Sequence, residues 1–281
     1  MAWETVLYEK IDGNIARITL NRPEKRNAQN EQLLDELEQA RHQAEADEDI
    51  RVMILAGAGP SFSAGHDMTY DPERSEQRRK AGLEGSYKFE QKYYLDYCHN
   101  FRNMRMPTIA QVHGYASAAG LMVASMCDLI VASEDAKFGD PVLRMTPAAV
   151  EIPTLPWDIG VRKAKELYFT GDYIDAQEAW RLGLVNHVVS REKLEEEALN
   201  LAKRIAQTPP FAVRLVKRSM NRMQDIMGLR DHWDYHFIVH QLSHRSVEST
   251  TFWEERQKVQ EKGGMKAFLE MRDSSYGGKG S

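Results

Sequence analysis

An α/β fold with layered strands and helices is predicted by three features of the sequence. Short apolar runs, Val52-Met53-Ile54-Leu55-Ala56, Thr108-Ile109-Ala110-Gln111-Val112 and Leu129-Ile130-Val131-Ala132, read as buried parallel strands. Segments with helical spacing stand between them, the alternation that lays helices over a parallel sheet. From about Arg191 onward the pattern is mostly helical. With 281 residues, one large α/β unit plus an appendage is the expected organisation.

Taken in order, Val6 to Lys10 and Ile15 to Leu20 flank Asp12-Gly13-Asn14 and predict a hairpin. Leu33, Leu34, Leu37 and Ala40, spaced by three and four among Glu, Gln and Asp, predict a helix. The Val52–Ala56 strand ends at Gly57 and Gly59. A dinucleotide-binding loop is excluded there, since Phe62 occupies the place of the third glycine and a loop follows. Tyr87, Phe89, Tyr93, Tyr94, Tyr97 and Phe101 fall partly at helical spacing, and a core-facing stripe is the first reading. A helical segment from Gly120 to Asp128 leads into the Leu129 strand. Leu194, Ala198 and Leu201, then Ala212, Leu215 and Val216, mark later helices. The Gly277-Gly278-Lys279-Gly280-Ser281 tail reads as flexible.

Composition narrows the function classes. The chain is 42% apolar and 28% charged, ordinary for a globular enzyme. A net charge of −5 gives no broad attraction for nucleic acid or anionic lipid, so a phosphate-bearing ligand needs local Arg and Lys clusters. Cys98 and Cys127 cannot make a disulfide framework and read as reduced, buried thiols. Neither a basic start followed by an apolar run nor a membrane-length apolar stretch is present, so a cytoplasmic protein is expected.

Several motifs occur in a telling order: Ser61-Phe62-Ser63-Ala64-Gly65-His66-Asp67, then Val112-His113-Gly114-Tyr115-Ala116-Ser117-Ala118-Ala119-Gly120, then Phe169-Thr170-Gly171-Asp172 with Ala176, Trp180, Gly183, Leu184 and Val185. Together they resemble the crotonase, or enoyl-CoA hydratase/isomerase, superfamily across nearly the whole chain. The resemblance implies a spiral of ββα turns over residues 1–190 holding the CoA and acyl site. It also implies a helical oligomerisation region over residues 191–281 that builds homotrimers or dimers of trimers. It further implies an acyl-CoA thioester substrate, with coenzyme A entering as part of the substrate and no separate cofactor or metal.

By the same resemblance, the backbone N–H groups of His66 and Ala119, with Gly120 adjacent, form an oxyanion hole. Such preorganised donors stabilise charge that develops on a thioester oxygen. Arg22 and Arg26 are placed near the nucleotide phosphates, Ala64 beside the pantetheine, and Phe268 with Arg272 near adenine from a neighbouring subunit. Family hydratases use two Glu to activate water and protonate carbon. Met122 and Val142 stand in their places here and are assigned to the acyl pocket.

The nearest acids are Glu151, close to where some isomerases and dehalogenases of the family carry a working carboxylate, and Asp140. Apolar neighbours Val150, Ile152 and Pro153 are expected to raise the Glu151 pKa if it is buried. Beside Pro141, a turn or cap role competes for Asp140. His66 and His113 are further candidates. Ser117 invites comparison with Clp-type proteases of the same spiral fold, but the CoA-type motifs fit better. His232, His236, His240 and His244 recur every four residues, a spacing at which two rings can hold zinc. No acidic motif accompanies them, and their region resembles the oligomerisation helices, where a pH-sensitive subunit contact is the alternative. Two readings remain: an enzyme of this family, hydratase, isomerase or hydrolase, and a non-catalytic acyl-CoA binder.

Overall fold

In the computed structural model, which describes residues 3–69 and 71–276, two sheets and a helical C-terminal region form a mixed α/β structure. The Gly277–Ser281 tail lies outside the described residues. The strands are β1 (Val6–Ile11), β2 (Ile15–Leu20), β3 (Val52–Gly57), β4 (Thr108–Val112), β5 (Tyr115–Ser117), β6 (Leu129–Ser133), β7 (Lys137–Gly139), β8 (Tyr173–Asp175) and β9 (His187–Val189). The helices are α1 (Glu31–Ala46), α2 (Pro72–Glu90), α3 (Tyr97–Arg102), α4 (Ala119–Ser125), α5 (Leu155–Asp158), α6 (Val161–Thr170), α7 (Ala176–Leu182), α8 (Leu194–Ala206), α9 (Pro210–Ile226), α10 (Leu229–Ser243) and α11 (Val247–Asp273). A π-helical turn, Gln91–Asp96, joins α2 to α3.

The larger sheet runs β1-β2-β3-β4-β6-β9 and the smaller β5-β7-β8. Only β1 is antiparallel in the larger sheet, paired to β2 through the predicted hairpin with Asp12 and Gly13 at positive φ. Successive turns of chain place one strand in each sheet: β4 then β5, β6 then β7, β8 then β9. This is the spiral that the motifs implied.

The β3 run is apolar throughout because both faces are covered. Met53 and Leu55 join the main core with Leu33, Leu34, Leu37 and Ala40 of α1. Val52 and Ile54 join Ile15, Ile109 and Val131 beneath Leu194, Ala198, Ala202 and Ala206 of α8. Thus α8, which the sequence placed beyond the boundary at 190, is the lid over one sheet face. Its small residues allow close helix-to-sheet approach.

Two local features position the site. Gly120 lies so close to the Ser61–Asp67 loop that an added Cβ would meet the Ser63 carbonyl oxygen at 2.3 Å. Ala118 takes φ 50, turning the chain sharply from β5 into α4, so the helix starts at Ala119. The glycines after β3 serve packing as well: a Cβ on Gly59 would meet Pro23 at 2.5 Å.

Candidate active site

The Ser61–Asp67 loop threads between the entry to α1 and the start of α4. Gln29 N–H donates to the Gly65 carbonyl at 2.7 Å, and Asp67 N–H donates to the Gln29 carbonyl at 3.0 Å. This parallel bridge leaves the His66 N–H directed away from Gln29, since its neighbours make both bonds. On the other side, a Cβ on Gly65, which has φ +92, would lie 3.2 Å from the Ala119 nitrogen. The segment ending at His66 and the first turn of α4 are therefore in contact. First-turn N–H groups of a helix have no intrahelical acceptor.

Beside this junction opens a cavity of about 410 Å3, lined by Ala64, His66, Tyr94, Val142, Glu151 and Arg272, among others. Glu151 stands in its wall, 5% exposed. Its Oε2 is 3.1 Å from His66 Nε2, and its Oε1 is 3.6 Å from His240 Nε2. The His66 ring stacks on Tyr94 with centroids 3.8 Å apart. His66 Nδ1 has no hydrogen-bond partner among the described residues.

Burial pushes the Glu151 carboxyl up, as the apolar neighbours predicted, but the adjacent His66 charge and hydrogen bond, then His240, outweigh it and bring it down to about 2. The expected raised pKa is thus corrected: the sequence supplied the desolvation and hid the imidazoles. This lowering is present only while a neighbouring ring carries its proton.

The loop that carries Glu151 is tied to α10. His236 Nε2 is 3.1 Å from the Val150 carbonyl oxygen, and His240 Nδ1 is 2.9 Å from that of Ala149. Ser243 Oγ accepts from the Ala148 N–H at 3.0 Å. Asp140 holds the same loop from below, with Oδ1 accepting from Val142 N–H at 3.0 Å and Oδ2 from Val150 N–H at 3.1 Å. It is 1% exposed and does not line the cavity, and burial raises its carboxyl to about 6.

A family model described as enoyl-CoA hydratase/isomerase matches residues 10–279. The chain belongs to the enoyl-CoA hydratase/isomerase family. It is 44% identical over 258 residues to EchA13 of Mycobacterium tuberculosis, covering 86% of this chain and 81% of that one. It is 33% identical over 280 residues to the crotonyl-CoA hydratase of Syntrophomonas wolfei, covering 98% and 99%. The crystal structure of an enoyl-CoA hydratase/isomerase from Xanthobacter autotrophicus Py2 superposes with a TM-score of 0.88 at 33% identity, covering 98% of this chain and 99% of that one.

Other positions carried over from the enoyl-CoA hydratase/isomerase family fall unevenly around the cavity. Ala64, Val142 and Arg272 line it. Met122 does not: at 2% exposure it packs into the core from α4. Arg22 Nη1 is engaged by Asp67 at 2.8 Å and by the Ala28 carbonyl, while Arg26 is exposed at the left-handed turn before α1. Phe268 and Arg272, expected near adenine, pack within the chain. Phe268 is fully buried beside Phe252 and Arg256, and Arg272 pairs with Asp273 at 2.7 Å.

Ser117 lines the cavity, but its hydroxyl is 2.6 Å from Tyr173 Oη, and this pairing differs from the Ser–His arrangement of a protease triad. His113 instead contacts the Gly59 carbonyl oxygen at 3.0 Å, and burial lowers its pKa.

Glu90, Tyr94, His240 and His244 also line the cavity. Tyr94 belongs to the aromatic stripe, which is both core and cavity wall, and the two histidines to the series read from their spacing. Glu90 gave no signal, being one carboxylate in a charged stretch. Only the fold of α2 onto α10 brings it to the site.

Proposed function

We propose that this family member is an acyl-CoA thioester enzyme in which Glu151, paired with His66, transfers protons beside an oxyanion hole made by the backbone N–H groups of His66 and Ala119. The observation that carries this reading is the 3.1 Å contact between Glu151 and His66 in the wall of the cavity at the start of α4. A carboxylate held ionised beside an imidazole can accept a proton as general base, and the imidazole can relay it. The α4 terminus adds N–H donors where negative charge would develop, with Gly120 admitting the Ser61–Asp67 loop. Asp140 is a positioning residue that holds the Glu151 loop. Ala64, Arg272 and Val142 are assigned to the pantetheine, adenine and acyl ends, and Arg22 and Arg26 to the phosphates. The names of the curated relatives favour hydration of an enoyl-CoA as the first reaction to assay.

The test is turnover and binding across saturated, enoyl, dienoyl and cyclic acyl-CoA thioesters, with products read by mass spectrometry. Water addition would make the enzyme a hydratase, double-bond migration an isomerase, and thioester cleavage a hydrolase. In Glu151→Gln, turnover falls by about 10²- to 10⁴-fold with acyl-CoA affinity retained. Tight binding without product across the panel would leave a non-catalytic acyl-CoA binder and overturn the enzyme reading.

A further inference from the structure

Two histidines four residues apart, His240 in the last turn of α10 and His244 just past its end, face each other at the cavity wall, with a carboxylate from the end of α2 beside them. His240 Nε2 and His244 Nε2 are 2.9 Å apart. Glu90 Oε2 is 3.8 Å from His240 Nε2, and Glu90 Oε1 is 4.0 Å from His244 Nε2. Ligating atoms of all three residues fit within 4.8 Å of one another.

We propose that Glu90, His240 and His244 bind a divalent transition-metal ion of the zinc class in the wall of the acyl cavity. Zinc bonds to imidazole nitrogen and carboxylate oxygen of ~2.0–2.2 Å, at tetrahedral angles, put ligand atoms ~3.4 Å apart. The two imidazole nitrogens at 2.9 Å stand slightly inside that distance, and a single Glu90 oxygen lies within 4.8 Å of both, so small side-chain rotations bring the three onto one ion. His240 is already oriented as a ligand: its Nδ1 contacts the Ala149 carbonyl at 2.9 Å, so the Nδ1–H donates there and Nε2 carries the lone pair. Gln241 Nε2 donates to Glu90 Oε2 and steadies the carboxylate.

The ligand set also selects the ion. Two imidazoles with one carboxylate suit zinc and its transition-metal neighbours rather than calcium or magnesium, which take oxygen ligands. His240 is 2% exposed, and the buried Glu151 carboxylate, 3.6 Å from its Nε2, adds negative charge next to the site. Three protein ligands leave a coordination position for the cavity, as in catalytic zinc sites. The spacing of four along α10 was visible in the sequence, whereas the third ligand comes from a helix distant in the chain. This proposal is independent of the reaction assigned to the cavity.

The test uses the full chain, stripped with a chelator and titrated with zinc chloride by calorimetry, then with cobalt(II) chloride by visible absorption. Expected are one zinc per chain with micromolar or tighter affinity and the intense visible bands of low-coordinate cobalt. His244→Ala and Glu90→Gln should each weaken zinc at least about tenfold and abolish the cobalt bands, with far-UV circular dichroism unchanged. His42→Ala, at an exposed ring 3.2 Å from Glu38, should leave zinc binding as in the unaltered protein. Absence of zinc binding, a weak octahedral cobalt spectrum in the unaltered protein, affinity retained in both site variants, or loss in His42→Ala would each overturn the proposal. The cobalt spectrum of the unaltered chain decides even where a variant fails to fold.

Discussion

Glu151 and Asp140 sit on one loop, both buried, and their titrations move in opposite directions. A charged His66 ring beside it holds Glu151 down at about 2, and the stability that this contact gives is lost as pH falls from the ordinary carboxylate range towards that value. Asp140 has two backbone donors and, among the described residues, no ion pair, and burial raises it from 3.8 to about 6. Its contribution is complete below 3.8 and is lost as pH rises through 6, on the order of 3 kcal/mol for that shift. Asp140→Asn removes this titration along with one acceptor. The stability gap between the native chain and the variant should therefore narrow between pH 4 and pH 7, as measured by urea unfolding at both pH values. A gap that stays constant or widens would contradict the assignment. The sequence marked both acids as candidates, but their opposite shifts were not legible in it, because each depends on what lies across the fold.

Among the elements, α10 straps the loop that carries Glu151. His236 donates to the Val150 carbonyl only through a ring N–H, and burial, with His240 and His232 nearby, lowers its pKa to about 4. A histidine so lowered stabilises the fold above its ordinary 6.5, and that contribution is lost as pH falls from there towards 4. His236→Ala should speed amide exchange over residues 146–153 at neutral pH by more than tenfold, read by mass spectrometry, while β3 and β4 keep their protection. Uniform acceleration across the chain would mean global destabilisation instead. The histidine series thus has an intrachain duty that its four-residue spacing only hinted at. Elements with one strong local signal were read well. The β4 strand from Thr108 to Val112 coincides with its apolar run, and α1 buries the leucines that predicted it. The π-turn at Gln91–Asp96 gave no such signal, since its i to i+5 bonding follows from packing rather than residue type.

Across the whole molecule, α9 leaves an apolar face uncovered in the single chain. Val216, Met220 and Met223, with Met227 just past the helix end, recur at spacings of four, three and four and are 48–63% exposed. Such a stripe is a candidate contact for the homotrimer or dimer of trimers that the sequence resemblance implies. Replacing Met220 and Met223 together by Glu should shift the assembly to monomers in size-exclusion chromatography with light scattering. An unchanged mass would place the subunit contact elsewhere.

By itself, the sequence determined the alternation of strands and helices, the parallel core and the family. These depend on hydrophobic periodicity and on the order of short motifs, and both are written locally in the chain. The tertiary structure alone decided that α8 closes a sheet face, that Met122 turns into the core, and that Glu151 meets His66 and His240. It also decided that Glu90 joins His240 and His244. Each of these depends on distances between segments far apart in sequence, and electrostatic partners act through space, so their effects appear only once the chain has folded.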